Sequence, residues 1–221
     1  MNSDRDRNPV LLIHGLFVNS KVFRRMSAYL TNLGWQVYSL NLTPNYGNVG
    51  LDELAGRVAD YADRTFGLEQ KFDLVGLSMG GLVSRYYVQR LGGINRVQRF
   101  IAISAPHNGT WMAYSLWGKG CVQMRPKSAF IEDLNRDISM LEQINFTSIW
   151  TDWDFIIVPA TSSQIPVGKE LKLPIFAHGN MVRHSKSLEA VAEALAAPIK
   201  PHPQPGHIRY DQKSPQFRGN I

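Results

Sequence analysis

Among the serines of this 221-residue chain, one sits in a pattern that makes a hydroxyl reactive: Gly76-Leu77-Ser78-Met79-Gly80, a G-x-S-x-G run. The apolar stretch Phe72-Asp73-Leu74-Val75 runs directly into it. Leu82, Val83, Tyr86, Tyr87 and Leu91 follow at helical spacing. A serine on so tight a strand-to-helix turn takes a strained backbone, and side chains two residues to either side would collide. The turn lifts the hydroxyl off the sheet and sets it at a helix N-terminus, where developing negative charge is favoured.

Such a serine needs a base, and the base needs an acid to orient it. The histidines are His14, His107, His178, His184, His202 and His207. His202 and His207 fall in a Pro-rich tail, and His14 reads as a group that ties its own loop in place. His184 lies just before the last helical segment, in a loop at the carboxyl edge of a sheet. His178 lies in the same loop, close to the end of the apolar run Leu173–Phe176, and is the second choice. For the acid, Trp150-Thr151-Asp152-Trp153-Asp154 offers Asp154, followed by the apolar run Phe155–Val158, with Asp152 as the alternative. The order Ser, Asp, His is the one expected of a nucleophile elbow. Two backbone N–H groups must receive an oxyanion: Met79, after the nucleophile, and Leu16, in His14-Gly15-Leu16-Phe17.

The elements that must hold these groups alternate. Val10–Ile13 reads as a buried strand, and Val22, Met26, Tyr29, Leu30 and Leu33 as a helix stopped by Gly34. Further strands are expected at Trp35–Leu40, Phe72–Val75, Phe100–Ile103, Thr147–Trp150 and Leu173–Phe176, and Phe155–Val158 also reads as strand-like. Helices are expected around Leu51–Ala62, Leu82–Leu91 and Leu188–Leu195. This rhythm predicts an α/β fold, a parallel sheet with helices on both faces and working residues at the carboxyl ends of the strands. A hydrolase-type domain is expected over 1–197, interrupted by a cap-like insertion at about 107–143 that is too long for a plain connection. Residues 198–221 read as an extended or disordered tail, with Pro198, Pro201, Pro203, Pro205 and Pro215 close together.

Composition narrows the function. Hydrophobic residues make up 44 %, enough for a core. No run approaches a membrane span, and the polar start lacks the apolar middle of a secretion signal. A lone Cys121 requires no oxidising compartment, so a cytoplasmic location is the expectation. The formal charge is +6, about half of it from Lys200, Arg209, Lys213 and Arg218 against Asp211. That excess reads as a solvated basic surface with some attraction to anionic lipid, not as a nucleic-acid interface. No metal-ligand spacing surrounds Cys121, and neither a metal nor another cofactor is expected.

Three segments together resemble bacterial lipases and esterases of the α/β-hydrolase superfamily, most of all the small class 2 lipase group. They are Ile13-His14-Gly15-Leu16, Gly76-Leu77-Ser78-Met79-Gly80-Gly81 and Ser104-Ala105-Pro106-His107-Asn108-Gly109-Thr110. Gln123–Ser128, Phe130 and Leu134-Asn135 extend the likeness, which covers the chain from Pro9 to about Leu195. The resemblance implies an α/β-hydrolase fold with a minimal six-stranded parallel sheet, since no strand is read before Val10. It implies Ser78, Asp154 and His184 as a triad, with Leu16 and Met79 as oxyanion donors. In that group, insertions such as Trp111–Ile131 cover the site and bind the acyl chain, which makes Trp111 and Trp117 substrate-binding candidates. The same residues could instead fill a small core of their own.

The expected function is a serine hydrolase of carboxylic esters, lipid acyl esters above all, acting through an acyl-serine. The alternatives are an acyltransferase with the same triad and a non-catalytic binding protein. The expected partner is a small ester or lipid, with contact to a membrane surface left open.

Overall fold

The computed structural model describes residues 7–200. Six strands form one sheet: β1 (Val10–Ile13), β2 (Val37–Leu40), β3 (Phe72–Leu77), β4 (Val97–Ile103), β5 (Asn145–Trp150) and β6 (Lys169–Lys172). Their order is β2-β1-β3-β4-β5-β6, and every pair is parallel. The chain has the α/β-hydrolase fold. Six α-helices accompany the strands: α1 (Arg24–Asn32), α2 (Leu51–Phe66), α3 (Met79–Arg90), α4 (Lys119–Gln123), α5 (Ala129–Arg136) and α6 (Ser185–Ala196).

Successive strand residues point to opposite faces, so each central strand feeds two cores. Leu11, Ile13, Leu74, Phe100 and Ala102 pack under α2 and α3 with Leu54, Val58, Leu82 and Val83. Val10, Leu12, Val75, Ile101 and Ile103 pack under α1 and α6 with Met26, Leu30, Leu188 and Val191. Central strands covered on both sides must be apolar throughout, and the four residues of β1 are all buried.

The edge obeys a different rule. β6 is Lys-Glu-Leu-Lys, mostly exposed, and pairs on one side only, with β5. The expected sixth strand at Leu173–Phe176 is therefore corrected to Lys169–Lys172. Leu173 donates one more hydrogen bond, to the Trp150 carbonyl at 2.8 Å, and the chain then leaves the sheet through Pro174. Phe155–Val158 is not strand-like either. The Asp154 carboxylate accepts from the Ile156 and Ile157 N–H groups, at 3.0 and 2.9 Å, and bends the run back on itself.

The stretch between β4 and β5 carries α4, α5 and two 3₁₀ turns, Trp111–Ser115 and Ile138–Gln143. Arg85 of α3 fastens it. This fully buried guanidinium donates to the Leu134 carbonyl and to Asn135 Oδ1, both at 3.0 Å, at the end of α5. Burial, with the Arg90 charge nearby, lowers its pKa to about 9, so it is still a cation at neutral pH. Pro198 and Lys200, at the start of the expected tail, hydrogen-bond to Asn145. The rest of the tail, 201–221, lies outside the described residues. Among the described residues no helix is long and apolar enough to cross a membrane.

Candidate active site

In a parallel sheet all strands end at one edge, so the loops after β1, β3, β4, β5 and β6 meet there. Ser78 follows β3 at that edge, with φ 55° and ψ −124°, a conformation that costs a non-glycine residue of order 1–3 kcal/mol. The turn is held by Ser78 N–H donating to the Ile103 carbonyl and by Gly81 N–H donating to the Ser78 carbonyl. Two glycines make it sterically feasible. A Cβ at Gly76 would lie 2.7 Å from the Gly81 Cα, and one at Gly80 would lie 2.3 Å from the Ile13 carbonyl oxygen. Phe17, Ser104 and Ala177 also have positive φ, and all three lie in loops leaving the same edge. Strain concentrated in this way is characteristic of functional sites.

Asp154, in the loop after β5, is buried. One of its oxygens, Oδ1, holds the Ile156 and Ile157 N–H groups; the other, Oδ2, lies 2.7 Å from His178 Nδ1. Burial pushes this carboxyl up. The hydrogen bond and charge of His178, with the two backbone donors, outweigh that push and hold it below the usual carboxylate range. An ionised carboxylate only accepts, so His178 Nδ1 carries the proton in this pair and Nε2 is left for other chemistry.

Asp154 is thus paired with His178, and the choice of His184 over His178 is corrected on this point. His184 is the exposed N-cap of α6, where its Nδ1 accepts from the Lys186 N–H at 3.2 Å. In the sequence His178 ranks second because it follows the apolar run Leu173–Phe176 so closely. With β6 ending at Lys172, it lies six residues beyond the strand, in a short 3₁₀ turn, His178–Val182. Asp152 is exposed and bridges to Lys172 at 3.1 Å.

Ser78 and His178 line one cavity of about 360 Å³. Its walls are otherwise largely apolar and include Leu16, Val22, Met112, Leu116, Ile156 and Ile157. Leu16 follows β1, where His14 is locked as a neutral tautomer between the Gly15 carbonyl and the Leu42 N–H, both at 2.9 Å. Burial lowers the pKa of His14 and keeps it uncharged there. The Phe17 N–H donates to the Asn45 carbonyl; the Leu16 N–H donates to no backbone carbonyl among the described residues. Met79 begins α3, so its N–H has no partner within the helix.

Trp111 and Trp117 do not line this cavity. Both are exposed, Trp117 at 88 %, and the expectation that they lie beside Ser78 is corrected to that extent. The reason is the 3₁₀ period of three. In the turn Trp111–Ser115, Trp111 and Tyr114 eclipse and stack on the outer side, with centroids 5.4 Å apart. Met112 and Ser115, one step along, reach the cavity. Thr110, the last residue of the Ser104–Thr110 motif, is a structural tie. Its buried hydroxyl donates to the Ile156 carbonyl and accepts from the Val158 N–H, both at 2.9 Å, tying the loop after β4 to the loop that carries Asp154. No group of three or more His, Cys, Asp or Glu among the described residues could hold a metal ion.

The chain is similar to known proteins in family and in fold. The family model described as palmitoyl protein thioesterase matches residues 9–154, from β1 to Asp154, and stops short of His178 and His184. A Bacillus licheniformis lipase in mature form superposes with a TM-score of 0.72 at 15 % identity, covering 86 % of this chain and 93 % of that one. Aspergillus fumigatus lipase B gives 0.72 at 20 % identity, covering 87 % of this chain and 53 % of its own. A Bacillus anthracis bromoperoxidase gives 0.69 at 16 % identity, covering 86 % and 92 %. At such identities these likenesses speak for the fold alone, and the bromoperoxidase illustrates how many activities one fold hosts.

Proposed function

From the premise that the chain belongs to the palmitoyl protein thioesterase family, and is a hydrolase of the α/β-hydrolase fold, we propose that it cleaves fatty-acyl esters and thioesters through an acyl-Ser78 intermediate. One observation carries the reading. Ser78, on a strained elbow, opens into the same apolar cavity as a histidine whose other nitrogen is fixed on a buried carboxylate.

In this reading His178 Nε2 takes the Ser78 proton as the hydroxyl attacks the acyl carbonyl. The tetrahedral oxyanion is received by the Leu16 and Met79 N–H groups. His178 returns the proton to the leaving alcohol or thiol, then activates the water that releases the acid. Asp154 keeps Nδ1 protonated and stabilises the imidazolium. The acyl chain lies along Val22, Met112, Leu116 and Ile157.

Each methylene buried in that cavity contributes up to about 0.8 kcal/mol. The part retained in the transition state makes kcat/KM rise by on the order of ten- to a hundred-fold from acetate to medium-chain p-nitrophenyl esters. Fluorophosphonate labelling and that ester series test the proposal together. Ser78→Ala is expected to abolish labelling and lower kcat by about 10⁴ or more with the fold retained. Labelling that persists in Ser78→Ala rejects the nucleophile. A steady decline beyond butyrate rejects the fatty-acyl substrate.

A further inference from the structure

Large apolar side chains that the fold leaves in water gather at the carboxyl edge of the sheet. Phe17, Met112, Trp153, Phe155, Ile156 and Phe176 are exposed there, on the loops after β1, β4, β5 and β6. Phe176 forms a raised cluster with Trp153 and Phe155, at centroid distances of 6.2 and 5.8 Å. Phe17, Met112 and Ile156 also line the Ser78 cavity, so part of this apolar rim is the cavity wall itself. Exposed apolar side chains grouped at one edge in this way mark an interaction surface.

Cations flank it. Lys21, Arg24, Arg25 and Arg183 surround a depression of about 540 Å³ whose remaining wall is Val22, a residue shared with the Ser78 cavity. All four side chains are exposed, and among the described residues none forms an ion pair or a side-chain hydrogen bond. Three of them occupy the 3₁₀ turn Ser20–Phe23 and the start of α1, the positive end of a helical segment with no acidic residue in its first turn. Like charges crowded at that end oppose folding, and an external anion removes the penalty.

We propose that this edge is a docking face for an anionic lipid surface, with headgroup phosphates in the four-cation depression and the aromatic rim in the headgroup–acyl boundary. The two features complement a bilayer jointly. A soluble anion would use the cations and leave the aromatics in water. An apolar insertion alone is marginal and reversible, and a basic patch beside it makes attachment stable. Docked in this way, the mouth of the Ser78 cavity faces the acyl layer. The proposal concerns attachment and stands or falls separately from the chemistry at Ser78.

The test is co-flotation of the full chain with vesicles of phosphatidylcholine alone and with an equimolar phosphatidylcholine–phosphatidylglycerol mixture. The wild type is expected to float with the anionic vesicles and to lose them as salt rises. Each cation near such a surface contributes a factor of about five. The fourfold variant Lys21→Gln/Arg24→Gln/Arg25→Gln/Arg183→Gln should therefore bind them on the order of 10²-fold more weakly, while p-nitrophenyl acetate turnover stays at the wild-type level. Phe155→Ser/Phe176→Ser should also weaken the anionic binding, by at least about tenfold. Equal wild-type binding to both vesicle types overturns the proposal, as does a fourfold variant that still prefers the anionic mixture. Aromatic variants that bind like the wild type overturn the insertion of the rim. Competition by inorganic phosphate beyond that of chloride at equal ionic strength would make the cluster a discrete phosphate site, which also overturns docking.

Discussion

Two aspartates are buried at opposite edges of the same sheet, each against a cationic or protonatable partner, and they do different work. Asp73 lies in β3 toward its amino end, held by Arg99 at 3.0 Å and by the Asn8 side chain. Asp154 lies beyond the carboxyl end of β5, held by His178 at 2.7 Å. Burial dominates at Asp73 and raises its carboxyl to about 6 despite Arg99 and Asn8. At Asp154, His178 and two backbone donors outweigh burial. Asp73 sits where the β3–β4 register slips by a bulge, but its φ stays in the ordinary range, while Ser78 and Ala177 take positive φ. One edge closes the fold, and Arg99 also donates to the Ala197 carbonyl at the end of α6. The other holds an ionised group next to a cavity.

The comparison breaks most sharply by kinetics. His178→Ala and Asp154→Asn are each expected to lower kcat by on the order of 10³–10⁴, with KM changing little. The midpoint of denaturant unfolding for His178→Ala should fall less than that for Arg99→Met, because two backbone N–H groups still hold the Asp154 carboxylate. Activity within tenfold of wild type in either variant would place the working pair elsewhere.

Breaking the opposite edge should show the reverse pattern. Arg99→Met leaves the Asp73 charge buried with only the Asn8 amide and the residue-99 backbone N–H as donors, and should cost about 3–5 kcal/mol at neutral pH, with kcat per folded molecule unchanged. The two carboxylates also tilt stability against pH in opposite directions. Asp73 is raised above its ordinary 3.8, so its stabilisation is complete below that value and is lost as pH climbs through about 6. Relative to Asp73→Asn, the wild type should therefore lose roughly 2–3 kcal/mol between pH 4 and pH 6. Asp154 is lowered, so its stabilisation is present above 3.8 and disappears only as pH falls through its depressed value. Unfolding free energies of the three proteins across that range measure both slopes. A flat difference between wild type and Asp73→Asn would show that Arg99 compensates the burial in full.

The difference between the two edges also explains what could be read in the sequence. β1, β3 and β4 announce themselves as apolar runs because helices cover them on both faces, and the G-x-S-x-G turn between β3 and α3 has a steric cause visible in two glycines. The burial of Asp154 was legible because the apolar run after it allowed a partly buried loop, although that run is bent by Asp154 itself and not extended. β6 was misread because an edge strand with one neighbour needs no apolar face. Its Lys-Glu-Leu-Lys carries no strand signal, and the apolar Leu173–Phe176 beside it does. That slip displaced the inferred strand end by four residues and made His184 look better placed than His178, the histidine that contacts Asp154. In the insertion, the bulkiest side chains are not the ones that line the cavity. The 3₁₀ turn turns Trp111 outward, and it is Met112 that reaches the cavity.

The smallest expected effect separates the two histidines of that loop. His184 caps α6 by accepting the Lys186 N–H on its Nδ1, with its side chain in water. Losing an N-cap acceptor costs about 0.5–1 kcal/mol when an exposed helix end can turn to solvent instead. α6 also packs Leu188, Val191 and Leu195 against the sheet, which limits fraying to its first turn. His184→Ala should thus lower stability by about 0.5–1 kcal/mol and leave kcat/KM on a soluble ester within about twofold of wild type. His184→Asn supplies another capping acceptor and should restore most of that stability. A His184→Ala enzyme as impaired as His178→Ala, with the cap restored in His184→Asn but not the activity, would return the base to His184. The loop would then have to rearrange to bring that imidazole off the helix end and into the Ser78 cavity, breaking the 2.7 Å His178–Asp154 contact on the way.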